Sequence, residues 1–257
     1  MRRRWSLAVV LCFLALSGAE AQEPACDPLA MDLTLTPART LIYASLKETL
    51  RVQASRPERA DVVLLGDSLF AGWRTDLPAT FPLTMVYDFA VGGDRIPNVL
   101  WRLDTTDLAH LSPSTAVLLI GTNDLAAGTP ACAIAIGIGK VVERLRALWP
   151  DTDVLVLTIP PRGPDFRALD DRRLRVNKAV AELSVRFDRV HAVTIDDNAF
   201  TCGRYAVRPL ITDTEARRLS CANYADDNLH FSTEGYIQLA RILKDTAAKS
   251  LGRDVFR

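Results

Sequence analysis

The sequence predicts an α/β domain, a parallel β-sheet with helices packed on both faces. Short β-branched and Leu-rich runs alternate with longer segments of helical spacing, and the runs are apolar without interruption, as strands buried on both faces are. The chain is also long enough for a large core, with 49% hydrophobic side chains in 257 residues. This composition excludes a disordered or collagen-like chain. The 31 Lys+Arg balance 31 Asp+Glu, which argues against a nucleic-acid partner, because neutralising a phosphate backbone takes a surplus of positive charge on one face.

In chain order, Arg2, Arg3 and Arg4 precede an apolar run from Leu7 to Leu16, and Ala19 and Ala21 then stand in the small-x-small spacing that a signal peptidase reads. Residues 1–21 are expected to be a cleaved secretory signal and residues 22–257 the mature domain, exported to the periplasm or beyond the cell. The run is shorter than the roughly 20 apolar residues of a spanning helix, so no membrane span is expected after cleavage. Cys26 lies too far beyond Ala21 to carry a lipid anchor.

A first helix is expected over 37–54, opening on Pro37, then a strand at 61–65 and a weaker one at 85–89. A helix at 95–104 and a strand at 115–120 follow, then a helix at 130–148 opening on Pro130 and a strand at 153–158. A helix at 167–187, a strand at 190–195 and a helix at 232–249 after Ser232 complete the series. Strands separated by helices are joined by crossovers, which makes the sheet parallel. Residues 196–226 keep no period and read as one long loop, the kind of segment that in a compact domain tends to carry function.

Beyond the signal stand Cys26, Cys132, Cys202 and Cys221, an even number in an oxidising compartment, with three possible connectivities. Neither a CxxC pair nor a Cys/His cluster of zinc spacing occurs, so structural bridges are expected rather than metal or redox chemistry. Cys202 and Cys221 are 19 positions apart on one loop and are expected to pair, leaving Cys26 to Cys132.

The first strand runs into Gly66-Asp67-Ser68-Leu69, placing Ser68 at the carboxyl end of a central strand, where open α/β sheets bind ligands. Alone, Ser68 could equally cap the following helix. As a nucleophile it needs a base, and of His110, His191 and His230 only His230 follows an acidic cluster, Asp226-Asp227-Asn228-Leu229-His230. Asp227 could set a carboxylate against Nδ1 and leave Nε2 free for Ser68; the alternative is a solvated turn whose Asp caps the last helix. His110 reads as surface and His191 as core. For oxyanion donors, Gly92-Gly93-Asp94 follows the second strand and Gly121-Thr122-Asn123-Asp124 the third, although each could be an ordinary turn. No phosphate-cradling Gly motif is present.

Together, GDSL at 66–69, GGD at 92–94, GTND at 121–124 and DNLH at 227–230 resemble the four blocks of the SGNH (GDSL) hydrolase superfamily. Within it, DFAVGGDRIPNVLWRL at 88–103, LTIPPRG at 157–163 and LHFSTEGY at 229–236 are similar to the catalytic subunits of intracellular platelet-activating-factor acetylhydrolase. The resemblance implies a flavodoxin-like three-layer α/β/α sandwich with a five-stranded parallel sheet in the order 2-1-3-4-5, and a cofactor-free serine esterase. It further implies Ser68 as nucleophile, His230 as base, Asp227 as its partner, and the Ser68 and Gly93 N–H groups with the Asn123 amide as oxyanion hole. Leu69, Thr122 and Leu229 match the residues that narrow the acyl pocket to acetyl size. Asp88 stands where the acetylhydrolases tend to carry Asn, and the 196–226 loop is longer, so the leaving-group side departs from them.

The function expected is an exported esterase for short acyl, most simply acetyl, esters of carbohydrates or small molecules. A longer-chain lipase or thioesterase of the same fold and a non-catalytic binder of acylated glycans are the rivals.

Overall fold

Five strands form one parallel sheet: β1 (Val62–Gly66), β2 (Val86–Asp88), β3 (Thr115–Leu119), β4 (Asp153–Leu157) and β5 (Val190–Val193), in the spatial order β2-β1-β3-β4-β5. They belong to a computed structural model that describes residues 26–206 and 219–257; the expected signal over 1–21 lies outside the described residues. The helices are α1 (Pro28–Leu35), α2 (Tyr43–Ser55), α3 (Ser68–Ala71), α4 (Leu77–Thr80), α5 (Ile96–Thr105), α6 (Thr122–Ala126), α7 (Ala131–Leu148), α8 (Asp170–Ala181), α9 (Leu183–Arg186), α10 (Asp197–Phe200) and α11 (Thr233–Leu251).

Alternate side chains of each central strand serve different cores, which is why the runs are apolar at every position. Val63, Leu65, Ala116, Leu118, Val154 and Val156 pack with Val52 of α2, Val99 of α5, Ile138 and Val142 of α7, and Val176 of α8. Val62, Leu64, Val117, Leu119, Leu155 and Leu157 face the other way, onto Phe70 of α3, Phe200 of α10 and Leu239 and Leu243 of α11. Each such aliphatic side chain withdrawn from water contributes about 1.5–3 kcal/mol, so the two apolar faces are what hold the three layers together.

β1 is followed in sequence by β2 on one side of it and then by β3 on the other. The strand order therefore reverses at β1, and the carboxyl ends of β1 and β3 at such a switch point are where open α/β sheets bind ligands. The blocks at Ser68 and Asn123 follow those two ends.

The elements depart from the sequence reading at several points. α1 was not foreseen; Asp27 accepts from Ala30 N–H and Pro28 opens it, and the Cys26–Cys132 bridge fastens it beside the start of α7. α2 begins at Tyr43 rather than Pro37, because Ala38 instead trades hydrogen bonds with the start of α5, donating to Pro97 O at 3.0 Å and accepting from Asn98 Nδ2 at 2.9 Å. The expected 167–187 helix is two, closed between them by Glu182 N–H donating to Ala179 O. The 196–226 stretch includes α10 and a short 3-10 turn, Arg204–Ala206; residues 207–218 lie outside the described set.

Candidate active site

Ser68 is the first residue of α3, directly beyond β1. Asp67 caps that turn by accepting from Leu69 N–H at 2.9 Å, so the capping role that Ser68 could have filled belongs to Asp67, and the Ser68 hydroxyl is free for other work. β1 and β3 approach so closely here that a β-carbon on Gly66 would lie 2.1 Å from Leu119 O. This brings the Ser68 turn beside the loop that carries Asn123.

His230 reaches Ser68 from the other end of the chain: its Nε2 lies 3.0 Å from Ser68 Oγ, and its Nδ1 lies 2.6 Å from Asp227 Oδ2. The other oxygen of Asp227 accepts the backbone N–H groups of Leu229 and His230, each at 2.9 Å. The carboxylate thus builds the turn and orients the ring at once. Burial alone would raise its pKa, but the His230 ring and the two N–H groups outweigh that and hold it at about 2. Ser232, not Asp227, caps the last helix, accepting from Gly235 N–H at 3.1 Å.

The turn is fixed from behind. Asn228, buried and at φ 51°, a conformation Asn tolerates, donates to Leu219 O at 2.6 Å. Gly163 N–H donates to Asn228 O at 2.9 Å, and the Tyr224 hydroxyl donates to Pro161 O at 2.8 Å. The segment after β4 therefore carries the base loop.

The expected oxyanion donors are Asn123, Gly93 and Ser68. Asn123 Nδ2 gives one hydrogen to Asp94 O at 2.9 Å, which fixes the amide and leaves its second hydrogen available. Gly93 adopts φ 80°, a conformation a side chain would strain. Neither Ser68 N–H nor Gly93 N–H donates to another described residue. The three can point at an oxygen without first breaking a bond.

Two arginines that sequence reasoning did not single out organise this floor. Arg102 is buried, pairs through Nε with Asp94 Oδ2 at 2.8 Å, and donates to Phe89 O and Gly66 O, so it clamps the Gly92-Gly93 loop to the end of β1. Arg162, in the PPRG stretch, donates through Nη1 to Thr122 O and Oγ1; burial lowers its pKa, opposed by the fields of Asp67 and Asp227. Asp67, Asp94 and Asp124, one beside each donor, are all buried. Burial pushes Asp67 and Asp124 up to about 7 and Asp94, opposed by its Arg102 partner, to about 6.

Of the expected acyl-pocket residues, Leu69 and Thr122 are buried and Leu229 is half-buried against the α11-side core; they flank Ser68, Asn123 and His230 in sequence. Asp88 is engaged with Ala90 N–H at 3.0 Å and Arg74 Nε at 2.8 Å, supporting the chain that leads to Gly92. His110 is exposed. His191 is not core: it lies on the edge strand β5, partly exposed, 3.6 Å from Asp153. Cys26–Cys132 and Cys202–Cys221 are both bonded. Among the described residues no group of three or more His, Cys, Asp or Glu could hold a metal, and no helix is long and apolar enough to cross a membrane.

The profile of the GDSL-like lipase/acylhydrolase family matches residues 64–237, from β1 through the His230 turn into α11. The chain belongs to that family. As a GDSL acylhydrolase of the SGNH superfamily it is a carboxylic ester hydrolase. It is 28% identical over 209 residues to the platelet-activating factor acetylhydrolase IB subunit alpha1 of Homo sapiens, covering 79% of this chain and 82% of that one. The fold of this GDSL hydrolase is shared by a GDSL-like lipase of Bacteroides thetaiotaomicron (TM-score 0.56, 21% identity, 80% and 98% of the two chains). A catalytic mutant of an acetylxylan esterase of Geobacillus stearothermophilus also shares it (TM-score 0.53, 14% identity, 77% and 96%).

Proposed function

We propose that this GDSL hydrolase is an exported esterase that removes short acyl groups, foremost acetyl, from O-acylated carbohydrates or small esters through an acyl-enzyme on Ser68. The observation that carries this reading is the unbroken chain from Ser68 Oγ to His230 Nε2 at 3.0 Å and from His230 Nδ1 to Asp227 at 2.6 Å. His230 takes the Ser68 proton as Oγ bonds to the ester carbon, and Asp227, ionised, stabilises the imidazolium that results. The carbonyl oxygen, now an oxyanion, receives the Ser68 and Gly93 N–H groups and the second Asn123 hydrogen. Collapse breaks the carbon–oxygen bond to the alcohol, which leaves with the proton from His230. Water then attacks the acyl-enzyme by the same route, giving up its proton to His230, which returns it to Ser68 as the carboxylic acid departs.

Acetyl preference rests on Leu69, Thr122 and Leu229 around the acyl side, a bulky set that crowds a chain longer than two carbons. Export rests on the residue 1–21 pattern, and two disulfides agree with an oxidising compartment. The carbohydrate assignment follows from compartment and pocket size. Nitrophenyl esters of increasing acyl length, run beside acetate release from acetylated glycans, test the reading. The acetyl ester should be turned over best; a preference for octanoyl would overturn it in favour of a lipase.

A further inference from the structure

The loop that carries Gly93 N–H is a four-residue turn, Val91 to Asp94, held at both ends. Asp94 N–H closes it onto Val91 O at 3.2 Å, and Val91 N–H is fastened to Gly66 O at 3.2 Å. Asp94 O takes the Asn123 amide at 2.9 Å. Of the two central glycines only Gly93 has a positive φ, 80°, which makes this a type II turn. A type I turn has the same closing bond and differs by a half-rotation of the middle peptide, here Gly92 C=O with Gly93 N–H. Two glycines oppose that rotation with no side chain. The end bonds therefore do not decide which way Gly93 N–H points.

What decides it is Ser45 of α2, 47 residues earlier in the chain and outside the residues matched by the family profile. Its buried hydroxyl donates to Gly92 O at 2.7 Å, and Gly92 O accepts from no other described residue. A trans peptide is planar, with its carbonyl oxygen and its N–H on opposite sides. Fastening Gly92 O toward α2 thus turns Gly93 N–H away from α2. Ser68 is the turn's other neighbour, since a β-carbon on Gly92 would lie 3.9 Å from Ser68 Cβ. One on Gly93 would meet Ser45 Oγ at 3.1 Å, so the hydroxyl uses the space that glycine leaves. We infer that Ser45 is a positioning residue for ester hydrolysis: it locks the middle peptide of the turn in the form that offers Gly93 N–H to the carbonyl oxygen of the substrate. The same bond polarises the peptide and makes its N–H a stronger donor. Without it the peptide is free to rotate, and activity falls by the fraction of molecules whose turn holds the other form.

This inference rests on the esterase reading, and its test keeps the two apart. Wild type, Ser45→Ala and Thr49→Val are compared on phenyl acetate and on its thiono analogue, in which sulfur replaces the carbonyl oxygen. Sulfur is a weak acceptor, so the thiono ester draws less on the oxyanion donors and loses less when one of them is misdirected. Thr49, buried one turn further along α2 and donating to Ser45 O at 2.8 Å, controls for the loss of a hydroxyl inside that helix. Ser45→Ala should lower kcat on phenyl acetate about tenfold with KM nearly unchanged, and should narrow the preference for the oxygen ester by about fivefold. Thr49→Val should leave both near wild type. An unchanged kcat in Ser45→Ala, an equal loss on the two esters, or the same loss in Thr49→Val would overturn the role of Ser45 while leaving the esterase intact. A wild-type protein inactive on phenyl acetate would overturn the esterase reading and this inference with it. Alanine is the best helix former, so Ser45→Ala is expected to fold, and circular dichroism checks that it does.

Discussion

Arg162 donates from a single guanidinium nitrogen to both the carbonyl and the hydroxyl of Thr122, at 3.1 and 3.0 Å. Thr122 leads directly into Asn123, and the neighbouring Gly163 N–H holds Asn228 in the base loop. One short segment after β4 thus couples the two loops whose separation must be right for acyl transfer. Arg162→Met should lower kcat for an acetyl ester about 10- to 100-fold with little change in KM, since a displacement of about 1 Å has that effect. Arg162→Lys should recover part of the loss. Steady-state kinetics on protein of wild-type circular dichroism decides, and an unaltered kcat in Arg162→Met would remove Arg162 from this role.

The buried Asp67 links stability to pH. Burial raises its folded pKa to about 7, above the roughly 3.9 of an unfolded Asp. The folded state therefore binds the proton more tightly, so this contribution is complete below about pH 4 and is lost as pH rises through about 7. Asp67→Asn keeps an acceptor for Leu69 N–H and abolishes the titration. From pH 5 to pH 8 the wild type should lose about 1–3 kcal/mol more stability than Asp67→Asn, read from urea midpoints. Parallel changes in the two proteins would contradict this.

The Cys202–Cys221 bridge should support turnover as well as stability. Closing a loop of that size is worth about 3 kcal/mol in the chain-entropy model. Ser232 N–H donates to Asn223 O and Asn223 Nδ2 to Phe200 O, so the bridged segment also seats the start of α11 beside His230. Cys202→Ser with Cys221→Ser should lower both thermal stability and kcat, the latter more than substrate affinity. Normal kcat in the destabilised double variant would make the bridge structural alone.

Leu229→Ala should relax the acyl limit, raising butyryl over acetyl kcat/KM by about 10-fold, in line with the worth of one or two methylenes in a pocket. An acyl-length profile identical to wild type would place the limiting wall elsewhere.

The strands were legible because each central one is apolar on two faces, as Val62 to Leu65 illustrate; their alternation with helices made the sheet parallel, while the order of its strands came from the family resemblance. Ser68 and Asn123 were legible because their blocks follow strand ends, and His230 because an acidic turn precedes it just before the last helix. Arg102 and Arg162 were not, since nothing in the spacing of a sequence with 31 basic residues marks the two that turn inward. The late start of α2 escaped for a different reason: Pro37 looks like a helix opener, and the bonds that tie Ala38 to α5 are long-range. His191 was misjudged because β5 is an edge strand, on which Val190 and Val193 are buried but His191 and Ala192 are only partly covered.

The most direct test of Ser68 as nucleophile is covalent labelling with diisopropyl fluorophosphate followed by peptide mapping. The reagent mimics the tetrahedral adduct and needs a hydroxyl activated by a neighbouring base. The account predicts one adduct per chain, on the peptide containing Ser68, with ester hydrolysis lost in proportion and labelling slowed at least 100-fold in His230→Ala. An adduct on another residue, or full ester turnover by protein labelled at Ser68, would contradict it.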